Sequence, residues 1–348
     1  MTQRYFIHIT DLHIFPQTHI PRSRIPELAY RQMWDELHTL RDDILSLEPK
    51  PLCIVISGDI FHFKNPRLYS PLDIMNVISY FESFPLPILV TPGNHDLPDS
   101  SMDRYDSSVF RLLTHSASNI HLLSPFEPFV IKPFSFYGIP YAPLYDTVRT
   151  LRSLKPSDTQ KYGVCLLHSD FVPDSEVKLP FPVLSQYQLP YINPYFTHFC
   201  LGHIHLSFPP LTLSPLYVKD FPELPPPSEY PYPLYHISKP WSVGRTQNDY
   251  FNRLDFHQPS YALVSEKTLE YRTLSSFLPS TELFRETSLR KEAEHSEAVR
   301  EFVSSLSIAD LAPLRNESQD PFQTLSLEPR IHSIIQEYIH KAEELLKP

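Results

Sequence analysis

The chain has 348 residues, with 30 Lys and Arg against 40 Asp and Glu and a formal net charge of −10. That length suits one large α/β domain with an appendage, or two ordinary domains. The charge disfavours free binding to polyanions through a broad basic surface, since such binding needs many Lys and Arg contacts that release counterions.

The opening MTQRYFIHIT has no basic, then apolar, then small-residue pattern of a leader. No apolar run approaches the roughly 20 residues of a membrane helix. A cytoplasmic protein without a membrane span is therefore expected. Cys53, Cys165 and Cys200 each lie in an apolar run, as small buried side chains rather than a disulfide framework.

Short β-branched and aromatic runs predict strands at 4–10, 52–57, 87–91, 119–123, 128–139, 163–168 and 197–202. Helical spacing predicts helices at 26–47, 70–83, 104–115 and 145–154, the first carrying Leu28, Met33, Leu37, Leu40 and Ile44 on one stripe. The alternation is that of a layered α/β fold. Residues 209–240 carry ten prolines and read as extended loop. Strand-like runs at 242–244, 260–265 and 268–274 are expected to close a second sheet. Two helices, 281–307 and 328–346, end the chain, and the segment from 276 holds 8 basic and 13 acidic residues, a net of −5. The expected organisation is a catalytic domain over 1–275 and a helical segment over 276–348 that either caps it or docks a partner.

Polar clusters recur where strands end, which is where open α/β sheets collect ligands. The first strand runs into Asp11-Leu12-His13, whose i and i+2 side chains share a face and can grip one ion. Later ends supply Gly58-Asp59, Gly93-Asn94-His95-Asp96, His168, and Gly202-His203-Ile204-His205. Asp11, His13, Asp59, Asn94, His168, His203 and His205 make seven oxygen and nitrogen donors suited to divalent transition metals.

Seven donors exceed one zinc-like site, but two ions sharing one carboxylate would each receive about four. Asp59 is the natural bridge, since an ionised carboxylate offers two charged oxygens. Two divalent ions held by two carboxylates keep roughly +2, matched to a hydroxide and a phosphodiester anion. His95 is then expected to face the substrate and protonate the leaving oxygen, with Asp96 orienting it.

The ordered set D-x-H, G-D, G-N-H-D, lone H and G-H-x-H resembles the five signature blocks of the calcineurin-like metallophosphoesterase superfamily, over residues 5–205. The resemblance implies a two-sheet α/β sandwich flanked by helices, here with a C-terminal helical appendage. It implies one metal on Asp11, His13, Asp59 and His205, and another on Asp59, Asn94, His168 and His203. SGDIFHFKNP and FYGIPYAP further resemble segments of SbcD-like DNA-repair exonucleases, and PWSVGRTQNDYF is loosely similar to a third, with its P-G-S order altered.

That narrower likeness implies a manganese-dependent 3′–5′ DNA exonuclease, iron and zinc also fitting the donors. It makes His62 a residue on the substrate side, DNA the substrate, and an SbcC-like coiled-coil ATPase or a second copy of the chain the partner. A phosphodiesterase for a small nucleotide or lipid-linked substrate, and a metal-bearing scaffold without turnover, are the competing readings.

Overall fold

The structure is a computed structural model; it describes residues 4–19, 26–155, 162–172, 184–205, 207, 211–213, 234–244 and 257–278. These all fall in the compact unit Met1–Arg285. The helices predicted after 280 and most of the proline-rich stretch lie outside the described residues.

In the first sheet β1 (Tyr5–Ile9), β2 (Ile54–Ser57), β3 (Ile88–Thr91) and β4 (Ile120–Leu122) run parallel. Beyond β1 lie β13 (Ser260–Ser265) and β14 (Leu269–Thr273), antiparallel, giving the order β14-β13-β1-β2-β3-β4. The second sheet has four parallel strands, β6 (Phe134–Ile139), β7 (Tyr162–His168), β10 (His198–Gly202) and β12 (Tyr235–Ser238). Antiparallel edges β5 (Phe129–Ile131) and β11 (Leu211–Leu213) complete the order β11-β12-β10-β7-β6-β5. Two short strands, β8 (Phe171–Val172) and β9 (Leu184–Ser185), pair separately.

Sequence expectation and structure part at five places. Residues 260–274 extend the first sheet, because β13 pairs with the otherwise open edge of β1. The predicted strand 242–244 is instead a bend, in which the Val243 and Gly244 N–H groups bond the carbonyls of Thr10 and Asp11. The long run 128–139 becomes the β5–β6 hairpin, broken where Pro133 lacks an N–H for the ladder. The predicted helix 104–115 splits into a 3₁₀ helix, Met102–Ser107, and α3 (Val109–Ser116), since Ser108 adopts an extended backbone and caps Arg111 N–H. The ends of the proline-rich stretch also carry β11 and β12, in the proline-free tracts LTL and YHIS.

The nearly continuous apolar strands follow from burial on both faces. Between the sheets, Phe6, Val55 and Leu89 meet Phe134, Phe136, Val164, Leu166 and Cys200. The alternate residues Ile7, Ile9, Ile54, Ile56, Ile88 and Val90 face α1 (Pro26–Ser46), α2 (Pro71–Glu82) and α3. On the far side Tyr137, Ile139, Cys165, Leu167, Phe199 and Leu201 pack on Leu151 of α4 (Leu144–Ser153) and Leu189 of α5 (Leu189–Ile192). The result is the expected two-sheet sandwich flanked by helices. No helix among the described residues is long and apolar enough to cross a membrane.

Part of the inter-sheet core is polar. His8 bonds Ser57 Oγ at 3.0 Å and Ser238 Oγ at 2.8 Å, joining β1 to both β2 and β12. His198 on β10 bonds the Ser265 carbonyl on β13 at 2.9 Å and stacks on His236, ring centroids 4.8 Å apart. Burial pushes His8 and His198 down to about 3, helped by Lys239 at His8 and by His236 at His198; burial takes His236 to about 4.

Above pH 6.5 these rings are neutral folded and unfolded, so they set no slope. Below it only the unfolded chain takes up their protons, and each ring costs about 1.4 kcal/mol per pH unit until its folded pKa is reached. At pH 5 the three together cost on the order of 6 kcal/mol. His13, also held down by burial, adds to this loss, and Asp96, pushed up to about 8 by burial and by Asp59, offsets it. The melting temperature of the metal-free protein is expected to fall steeply from pH 6.5 to 5. A flat profile over that range contradicts buried, neutral inter-sheet histidines.

Candidate metal centre

At the strand ends the backbone turns into the left-handed region: φ is 52° at Asp11, 45° at His13, 53° at Asp59 and 87° at His203. Side chains with a Cβ seldom adopt that conformation, which aims these four away from the strand direction. Neighbouring loops hold them there. Asp11 N–H bonds the Gly58 carbonyl at 3.1 Å, His13 N–H the Asp59 carbonyl at 2.9 Å, and Gly244 N–H the Asp11 carbonyl at 2.8 Å. The crossing is tight enough to demand glycine, as two positions illustrate. A Cβ on Gly93 would collide with the Asp59 carboxylate, and one on Gly202 with the Ser57 carbonyl.

All seven predicted donors come together. Asp11, His13 and His205 form one group, and Asp59, His168 and His203 another; within each group the ligand atoms lie within 4.8 Å of one another. Asn94 joins the second group through Oδ1, 3.1 Å from His168 Nε2 and 3.0 Å from His203 Nδ1. Asp59 also reaches toward the first group: its Oδ2 is 3.2 Å from His168 Nε2 and 3.6 Å from His13 Nε2.

The donor chemistry fits cations. His168 Nδ1–H donates to the Ser57 carbonyl at 2.8 Å, so in the neutral ring Nε2 is a bare lone pair. It faces the oxygens of Asn94 and Asp59, acceptor against acceptor, which only a proton or a metal ion between them reconciles. Without a metal the proton takes that place. Burial alone would lower His168, but Asp59 and Asp11 bring it up to about 9. In the other group His13 and His205 set their Nε2 atoms 2.9 Å apart, and burial keeps His13 neutral. Both carboxylates of the cluster, Asp11 and Asp59, stay ionised. Burial works against this, but Lys239 and the imidazoles hold Asp11, and His168 and His13 hold Asp59, well below the usual carboxylate range.

His95 is half-buried, its ring 5.0 Å from that of His13 and 5.8 Å from that of His62. Its N–H anchors Asp59 Oδ1 at 2.8 Å, and its Nδ1 donates to the His62 carbonyl at 2.5 Å, leaving Nε2 as the second ring nitrogen. Here the structure corrects the sequence expectation for Asp96. Its carboxylate accepts the Phe61 and Gly93 N–H groups, at 2.9 and 2.8 Å, and so ties two loops together instead of orienting His95. The turn after β3 sends these consecutive side chains apart. His62 orients His95 through its carbonyl, and its ring lies 5.4 Å from that of His13.

Three residues escaped the sequence reading. Asp170 Oδ1 lies 3.1 Å from His203 Nε2; its place two residues after His168 in a strand exit was an available signal. Tyr141 sets its ring 5.4 Å from that of His203 and 6.1 Å from that of His168. Lys239 is fully buried, its Nζ 3.0 Å from Asp11 Oδ2. Only its position at the end of the proline-free tract YHIS hinted at burial.

The sequence profile described as calcineurin-like phosphoesterase matches residues 5–282. The DNA double-strand break repair protein Mre11 of Saccharolobus solfataricus is 24% identical over 202 residues, 57% of this chain and 49% of that protein. The chain thus spans about half the length of this curated relative. Among solved structures, TT1561 of Thermus thermophilus aligns over 78% of this chain and 100% of its own, with 10% identity and a TM-score of 0.46. The 5′-nucleotidase from Candida albicans SC5314 aligns over 79% and 53%, with 11% identity and a TM-score of 0.39. Likenesses at that level bear on neither substrate nor partner.

Proposed function

The chain belongs to the calcineurin-like phosphoesterase family, and from that premise we propose that this metal-dependent phosphoesterase hydrolyses phosphodiester bonds in DNA, as an SbcD-like 3′–5′ exonuclease. In this reading Asp11, His13, Asp59 and His205 hold one divalent ion, and Asp59, Asn94, His168 and His203 the other. Manganese is the proposed metal; iron and zinc suit the same donors. When bound, such a pair supplies Lewis acidity for the phosphate oxygens and a hydroxide nucleophile near neutral pH.

The observation that carries the reading is the position of the Asp59 carboxylate between His168 of one donor group and His13 of the other, with His95 anchored to it. His95, held through Nδ1, is placed to carry a proton on Nε2 toward the leaving oxygen. His62 is assigned to the substrate side of the same cluster. Lys64 adds an exposed cation nearby: its Nζ bonds Ser100 Oγ at 2.7 Å, and that hydroxyl bonds the Asn94 carbonyl. A phosphate chain could be met there although the whole molecule is acidic. The likeness to a DNA-repair protein supports DNA as substrate, and an SbcC-like ATPase or a second copy of the chain is the proposed partner.

Incubation with manganese, end-labelled duplex and single-stranded DNA, and bis-p-nitrophenyl phosphate tests the proposal. Stepwise release of mononucleotides from 3′ ends is expected. Cleavage of the small diester alone would replace DNA by a small phosphodiester, which the net charge of −10 favours. Cleavage of neither, at any metal, would leave a scaffold without turnover.

A further inference from the structure

We propose that the two metal positions are unequal by construction: the Asn94 position, backed by Asp170, binds its ion first and tightly, whereas the Asp11 position, backed by Lys239, holds its ion loosely. This rests on the two-ion reading above. By donor count alone the order would be the reverse, since the Asp11 position has a carboxylate where the other has an amide.

The surroundings overturn that count. Asp11 Oδ2 is bonded by the Lys239 ammonium at 3.0 Å and by Thr10 Oγ1 at 2.6 Å, while Oδ1 accepts His203 N–H at 3.0 Å. A carboxylate so saturated has little charge left to give a metal, and the fixed cation beside it repels one. Both partners are fully buried, so water does not weaken the pair. Two imidazoles differ in the same sense. His13 Nδ1 is buried and has no hydrogen-bond partner among the described residues. His203 Nε2 faces Asp170, and His168 Nδ1–H donates to the Ser57 carbonyl. A carboxylate or carbonyl behind a ligating histidine raises its basicity and fixes its tautomer, and losing such a partner costs about 10–100-fold in metal affinity. Leaving Asp59 aside as shared, the charges described beside the Asp11 position are one of each sign, Asp11 and Lys239, and beside the Asn94 position Asp170 meets no Lys or Arg among the described residues.

Lys239 and Asp170 are thus positioning residues that act through Asp11 and His203. Calorimetric titration of the metal-free full chain with manganese tests this without any substrate. Two separated binding steps are expected. Asp170→Asn should weaken the tight step by about 10–100-fold and leave the loose one in place. Lys239→Met, which keeps the apolar stem, should tighten the loose step and draw the two together. A merely structural lysine could not produce tighter binding. Asp170 has a side chain 15% exposed, so its amide variant keeps the test decisive if Lys239→Met fails to fold. Two equal steps, or an Asp170→Asn effect confined to the looser step, would overturn the inference alone. No manganese bound at all would overturn the metal centre itself.

Discussion

Asp59→Asn is expected to strip both ions from the protein and to lower phosphodiester hydrolysis by about 10³–10⁵-fold, the scale of removing a charge clamp from a phosphoryl-transfer site. Asparagine keeps the shape of aspartate, so the loss would be electronic. Asp59 Oδ1 is fixed by His95 N–H, a bond the asparagine carbonyl can keep. The amide NH2 then falls where Oδ2 faces His168 and His13. A donor would stand where both positions need a lone pair, and the one charge they share would be gone. Elemental analysis of the purified variant beside wild type reads the outcome. Retention of two ions per chain would mean that Asp59 is not the bridge.

His95→Asn is expected to separate chemistry from metal binding. Turnover should fall by about 10²–10⁴-fold, the usual contribution of a positioned proton donor, while metal content and melting temperature stay near wild type. The ring stands beside the donor groups, and only its backbone N–H touches Asp59. Asparagine preserves that N–H but has no group that can exchange a proton near neutral pH. A parallel loss of metal would make His95 a ligand and remove its proposed part in protonating the leaving oxygen.

The donors were readable in the sequence because each sits at the end of an apolar run, where a polar side chain has no place in a core. Asp11, Asp59, Asn94, His168 and His203 are announced by the strands before them. The same rule covers the sheets, whose alternating inner and outer apolar residues match the predicted runs. It fails where partners come from far along the chain. Lys239 meets Asp11 across 228 positions, and nothing local encodes that meeting. Sequence adjacency misled at Asp96, which folds back on the Gly93 and Phe61 N–H groups. The assignment of β13 to the first sheet depended on which edge stood open, which no periodicity records.

The left-handed turns at Asp11, His13, Asp59 and His203 set a limit on how far this molecule could be stabilised. Glycine at any of the four would relax the main chain, by roughly 1–3 kcal/mol per residue, but would delete a donor. With metal held as proposed, the sandwich carries these strained corners for as long as the protein is to act, and its most tempting sites for thermal improvement are those where improvement is expected to silence it.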